Sequence, residues 1–177
     1  MTKRPMRRAE REIVDPDDIE AILKRCPAMR IAIPTDDFPY VVPVNFGFAR
    51  DGDRFVFYFH SSRFGRKAEL LEIDRAQRVG LEFDRVLGVG STGELTNPCA
   101  CSCAYESVVG EGIVSRVEGD EKKRGLDALL RAVGFLGDIQ YDARIFDATN
   151  VYRIDVVSIS GKRNATVVSP YSKGDRL

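Results

Sequence analysis

The sequence predicts an antiparallel β-barrel with a few short helices packed at its ends. Runs of β-branched and aromatic residues recur at short spacing, and Arg50-Asp51-Gly52-Asp53 joins two of them as a hairpin. The regular strand–helix alternation of a parallel doubly wound sheet is missing. With 177 residues, 44% of them hydrophobic and 31% charged, the chain reads as one globular domain over 1–177, able to bury a real core.

The elements follow in order. Asp15 is a good N-cap, Pro16 suits the first helical position, and Asp17 and Asp18 favour the helix dipole. Val14 is expected to staple onto Ile19, with Ile19, Ile22, Leu23 and Cys26 as the buried face and Pro27 as the stop. Met29–Ile33 reads as a strand and residues 40–48 as a second; 54–59 returns from the Asp-Gly turn. A helix of roughly eight to ten residues is expected from Arg66, with Leu70, Leu71 and Ile73 at helical spacing. Residues 78–84 and 108–118 are further strands. Asp120 is expected to cap a helix carrying Leu126, Leu129, Leu130 and Val133, closed by Gly134 and Gly137. Residues 150–160 form a last strand before a polar tail at 164–177. Residues 85–104 are the least regular stretch and read as a surface excursion.

Composition narrows the function. Lys plus Arg equals Asp plus Glu at 27 each, so no global field attracts nucleic acid or an anionic membrane. The basic arm at 1–12 holds Lys3, Arg4, Arg7, Arg8 and Arg11, but Glu10 and Glu12 dilute it, and it reads as a solvated segment. No apolar run reaches membrane-spanning length and none makes a signal peptide, so a cytoplasmic protein is expected, with no nucleic-acid or membrane partner. Cys26, Cys99, Cys101 and Cys103 are then expected as reduced thiols.

Several motifs are decoys. Gly88-Val89-Gly90-Ser91-Thr92-Gly93 has a dinucleotide-binding spacing and follows a strand. The helix that should open there is replaced by Thr96-Asn97-Pro98, so it reads as a glycine-rich loop. The alternating Cys99, Cys101 and Cys103 fall short of a four-ligand zinc site, and no metal is expected. The one histidine has no nucleophile-elbow serine, which removes a Ser/His/Asp hydrolase.

The stretch 57–70, FYFHSSRFGRKAEL, carries the most chemistry. An aromatic strand runs into His60, then Ser61 and Ser62, then Gly65-Arg66-Lys67 opening a helix. Hydroxyl donors next to two fixed cations on a helix's first turn make a ready phosphate site. The plainer reading keeps His60 as a locally bonded strand-end residue, and Phe57, Tyr58 and Phe59 as core.

Read together, five segments resemble the pyridoxamine 5′-phosphate oxidase-like FMN-binding split-barrel superfamily, and within it the nitroimidazole-resistance (Nim-like) group. They are Met6-Arg7-Arg8 with Arg11-Glu12-Ile13; Pro39-Tyr40-Val41-Val42-Pro43-Val44-Asn45-Phe46-Gly47; Tyr58-Phe59-His60-Ser61 with Gly65-Arg66-Lys67; Tyr105-Glu106-Ser107-Val108-Val109-Gly110-Glu111-Gly112; and Arg153-Ile154-Asp155 with Ser160-Gly161-Lys162-Arg163. They keep their order across nearly the whole chain.

The resemblance implies a six-stranded split β-barrel homodimer with flavin, FMN or else FAD, at the subunit interface. It puts the phosphate on Ser61, Arg66 and Lys67, and the ring along Val42, Pro43, Val44 and Asn45. Further contacts come from Phe59, Tyr105, Glu106, Ser107, Lys162 and Arg163. His60 matches a histidine carried beside the flavin, as proton donor or substrate contact. Glu106 departs from the group, where a basic residue is common, and so does the cysteine run. The implied activity is an oxidoreductase passing electrons from a reduced nicotinamide to a small acceptor such as a nitro compound. The alternative is a flavin or haem carrier or sensor without turnover, His60 then serving as axial ligand.

Overall fold

The computed structural model describes residues 5–71, 76–91 and 101–165, and the backbone of 169–170. A 3₁₀ turn, Ala9–Arg11, leads to β1 (Glu12–Ile13) and α1 (Pro16–Leu23). Then come β2 (Met29–Ile33), β3 (Tyr40–Val44), β4 (Gly47–Asp51), β5 (Arg54–Ser61), α2 (Arg66–Leu71), β6 (Gln77–Ser91) and β7 (Cys101–Val117). The chain continues through α3 (Gly119–Ala132), α4 (Ala143–Ala148), β8 (Asn150–Asn164) and β9 (Ser169–Pro170).

These elements build two compact units. The first draws on Met1–Cys26, Phe83–Val108 and Ser160–Leu177, the second on Pro27–Glu82 and Val109–Ile159. The strand order is β3-β2-β6-β7-β8-β5-β4, with β1 on β8 and β9 on β6. The two ends of that path, β3 and β4, are separated in the chain by only Asn45 and Phe46. Within the second unit, strands whose path ends are joined so closely must curl round on themselves, as a barrel does.

In the second unit, β2 pairs with β3 from Met29↔Val44 to Ile33↔Tyr40, and β4 with β5 from Gly47↔Tyr58 to Asp51↔Arg54. The strand expected over 40–48 is therefore two strands. Its first half is hydrogen-bonded to β2 and its second to β5, so the chain has to change partners between Val44 and Gly47. Gly47 sits where α3 lies across the sheet: a Cβ there would be 2.4 Å from the Ala128 carbonyl carbon and 2.6 Å from the Leu129 nitrogen. Glycine is what lets helix and strand approach. The hairpin turn is as expected, with Gly52 at φ 58°.

Alternation puts Met29, Ile31 and Ile33 of β2 and Phe55, Phe57 and Phe59 of β5 inside, each 2% exposed or less. Phe55 and Phe57 stack at 6.3 Å, with Phe46 and Phe48 at 6.0 and 6.2 Å from the Phe57 ring. Burying a side chain of this size contributes about 1.5–3 kcal/mol, so this cluster is a substantial part of the unit's core. On α3 a polar network anchors the helix. Tyr58 Oη donates to Glu121 Oε1 at 2.7 Å, and Arg153 Nη1 donates to the same oxygen at 2.8 Å. Burial, then the hydrogen bond to Glu121, pushes the Tyr58 phenol up to about 12.

In the first unit, α1 is capped as expected, Asp17 N–H donating to Asp15 Oδ1 at 2.8 Å. Ile19, Ile22, Leu23 and Cys26 are buried, although the helix stops at Leu23. Val14 is 66% exposed, so the expected staple onto Ile19 does not form. Glu12 and Ile13 of the basic arm pair with Lys162 and Gly161 of β8.

Other expectations change. Strand β5 runs on through His60 and Ser61, which pair with Val151 and Asn150, because β8 extends alongside. In the excursion expected over 85–104, residues 85–91 end β6 and 101–104 begin β7; Cys99 and the rest lie outside the described residues. The tail expected at 164–177 contributes Asn164 to β8 and the short β9. Glu118, not Asp120, is the N-cap of α3, and Asp120 stands in its first turn. α2 has six described residues, and Ile73 lies outside those described. α4 was not expected. Its signal is Asp142, whose Oδ1 accepts from the Arg144 and Ile145 N–H groups, too short a feature for periodicity to show.

Candidate functional site

The expected site residues fall into two clusters, one in each unit. In the second unit, β5 carries Phe59, His60 and Ser61, and the loop 62–65 turns into α2, where Arg66 and Lys67 stand on the first turn. Phe64 N–H donates to Ser62 Oγ at 3.2 Å, which shapes that loop. The Arg66 guanidinium lies 5.3 Å from the Tyr40 ring centre, tying the start of α2 to the start of β3. The Lys67 ammonium lies 5.7 Å from the Phe59 ring centre and donates to the His60 carbonyl at 3.5 Å.

Phe59 is fully buried and stacks on Tyr152 at 5.0 Å. Its ring backs the Lys67 ammonium. Successive strand residues point to opposite faces, so the His60 and Ser61 side chains leave β5 on different sides. Ser61 is buried and His60 is exposed. On β3, Val42 is half-buried, Pro43 exposed and Val44 buried, and Asn45 is exposed in the two-residue link to β4.

Electrostatics set this cluster apart. Among the described residues neither Arg66 nor Lys67 has a carboxylate partner, and burial pulls the Lys67 ammonium below its ordinary value. A half-buried cation without a counter-charge is unfavourable unless an anion joins it. Partial desolvation of the ring, whose outer side is exposed, and then the Lys67 charge lower the His60 pKa, so the imidazole is neutral at neutral pH. The unfolded chain takes up this proton at about pH 6.5, the folded chain only at lower pH. Stability is therefore expected to fall as pH drops below about 6.5, and to fall less steeply in His60→Gln. Denaturant unfolding of both proteins between about pH 5 and 8 measures this; parallel profiles would remove the His60 contribution.

In the first unit, Tyr105, Glu106 and Ser107 stand on β7, and Lys162 and Arg163 on β8. The Lys162 ammonium lies 5.9 Å from the Tyr105 ring centre. Glu106 is 5% exposed and takes two arginines. Arg25 Nη2 donates to Oε1 and Oε2 at 3.0 and 2.9 Å and Arg25 Nε to Oε2 at 3.2 Å, while Arg163 Nε donates to Oε1 at 2.9 Å. The two guanidinium groups of Arg25 and Arg163 share the Glu106 carboxylate. Arg25 was missed, since nothing local marks a residue just past a helix end that pairs 81 positions away. Among the described residues no group of three or more His, Cys, Asp or Glu side chains is placed to hold a metal. Nor is any helix among them long and apolar enough to cross a membrane.

This mainly antiparallel sheet with short helices is a split-barrel fold. Residues 15–163 match the family model described as Pyridoxamine 5′-phosphate oxidase, and the chain belongs to that family. It is similar to a proposed 5-nitroimidazole antibiotic resistance protein from Bacteroides thetaiotaomicron, with 28% identity over 86% of each chain and a TM-score of 0.67. In fold it is similar to the flavocytochrome Anf3 from Azotobacter vinelandii, at 22% identity over 96% of this chain and 76% of that one, TM-score 0.69. A FAD and heme binding protein from Mycobacterium smegmatis is similar at 19% identity over 93% of this chain and 78% of that one, TM-score 0.72. No curated protein matches.

Proposed function

We propose that this protein is an FMN-dependent oxidoreductase that works in the cytoplasm as a homodimer. It takes electrons from a reduced nicotinamide and passes them to a small acceptor such as a nitro compound. The observation that carries this reading is the pair of cations, Arg66 and Lys67, which have no carboxylate partner among the described residues at the end of the His60 strand. A phosphate dianion supplies a counter-charge that half-buried Lys67 does not find among the described residues. The likeness to the Bacteroides protein supports the nitro acceptor.

In this reading Arg66 and Lys67 bind the phosphate, with the Ser61 hydroxyl beside them. Tyr40 holds the Arg66 guanidinium in place through its ring face. Residues 42–45 give the ring an extended backbone edge, and exposed Asn45 adds an amide. The flavin, when bound, supplies the two-electron chemistry. His60, neutral and exposed, offers one ring N–H to donate and one nitrogen to accept. It therefore orients a substrate at neutral pH, and acts as a proton donor only once charged.

The test is the visible spectrum of the purified protein and its bleaching by NADH or NADPH. Flavin bands that bleach support the reading; a Soret band from haem, or colourless protein that takes up no FMN, would overturn it. A flavin that no nicotinamide reduces leaves a carrier or sensor. His60→Ala is expected to keep the flavin and lose roughly 10²–10⁴-fold in turnover if it serves proton transfer. Full turnover in that variant would make His60 merely structural.

A further inference from the structure

In the first unit a cavity of about 570 Å³ opens beside β1, lined chiefly by Glu10, Arg11, Glu12, Ile13, Arg163 and Asn164. That volume suits a small organic molecule. Asn164 is turned away from it chemically, its amide donating to Ser102 Oγ at 3.2 Å and to the Cys103 carbonyl at 2.7 Å. Arg163 is different. Its Nε is taken by Glu106 at 2.9 Å, and among the described residues no acceptor meets either of its Nη groups.

A guanidinium held at one corner keeps a fork of donors for a carboxylate or phosphate. The residue that holds it is itself fixed, because Arg25 grips both oxygens of Glu106 from the other side. Two cations on one carboxylate leave an excess positive charge at the half-exposed side of the cluster. Arg11 adds a second guanidinium to the cavity wall, where Glu10 and Glu12 also stand, its Nε pairing loosely with the Glu10 carboxylate at 4.0 Å. A buried carboxylate whose partners face outward costs desolvation energy, and its benefit is to aim them.

We propose that Glu106 is a positioning residue, which holds Arg163 by Nε so that its Nη pair receives an oxyanion in this cavity: the carboxylate or phosphate group of a small ligand. This does not rest on the flavin reading, since the phosphate arm at Arg66 and Lys67 belongs to the other cluster.

The test is thermal unfolding of the full chain carrying Arg66→Ala and Lys67→Ala, in inorganic phosphate or acetate against chloride at matched ionic strength. One or both oxyanions are expected to raise Tm by roughly 3–6 °C at ten times Kd, and which one does so separates a phosphate from a carboxylate ligand. Arg163→Gln, a change at a half-exposed side chain, is expected to abolish the rise. Glu106→Gln should weaken it about tenfold in apparent Kd, while Arg25→Gln, which leaves the Glu106–Arg163 bond, should stay within about twofold of the parent. A rise that survives Arg163→Gln, or no rise over chloride, overturns the site. Equal weakening by Glu106→Gln and Arg25→Gln overturns the positioning role, because a merely structural cluster would treat them alike. In protein with the phosphate arm intact the rise should persist when FMN is saturating; a rise confined to FMN-free protein would make the cavity part of the flavin site and overturn a separate ligand.

Discussion

Arg66→Ala with Lys67→Ala is expected to yield colourless protein that weakens FMN binding by roughly 10²–10⁴-fold. Each side chain supplies a charge-assisted hydrogen bond worth about 1.5–3 kcal/mol, and the two act on one phosphate. The folded protein should hardly notice, because Arg66 is exposed and neither side chain is ion-paired among the described residues. Removing Lys67 even takes away a half-buried charge that burial already disfavours. Unchanged Tm with lost flavin is the expected pattern, read by FMN fluorescence titration and thermal unfolding. Flavin bound at parental affinity in the double variant would remove the phosphate from this arm, and with it the observation that carries the proposed function.

Gly47→Ala is expected to be the most damaging single methyl in the second unit. The added Cβ would meet the Ala128 carbonyl carbon at 2.4 Å, its oxygen at 2.6 Å and the Leu129 nitrogen at 2.6 Å. All three are backbone atoms, so no rotamer change relieves the clash, and either α3 or β4 must move. A loss of roughly 3 kcal/mol or more is expected, lowering Tm by roughly 6–12 °C. Gly88→Ala serves as the control, because a Cβ there meets nothing within 4 Å. If the two variants melt alike, α3 does not lie on the sheet as described. The same contact bears on function: α3 is held by Tyr58 and Arg153 through Glu121, and Tyr58 stands two residues before His60 on β5.

Much of this was legible before any coordinates. Asp15, Pro16 and the two following aspartates announce α1, and Asp15 does cap it. The bounds of β2 and the Gly52 hairpin also stand as expected. So does the grouping of His60, Ser61, Arg66 and Lys67 at one strand-to-helix junction. These are short-range matters: a cap acts over three residues, a hairpin over four, and a strand-to-helix turn over a few more. The expected strand over 40–48 fails for the opposite reason. Its alternation continues smoothly, and only the identity of the partners, β2 before Val44 and β5 after Gly47, divides it.

The chemistry at 57–70 was thus available from residue types alone, as hydroxyls and cations at a turn. Its charge balance was not: that Lys67 is half-buried and has no carboxylate partner among the described residues depends on which segments pack around it. Glu106 shows the same division more sharply. From the sequence it was an acid standing where the family usually has a base. Three-dimensional packing decided that it is buried between Arg25 and Arg163, which lie 81 and 57 positions away. Local propensity has no means of recording such a contact, because it forms only after the strands and α1 have been brought together.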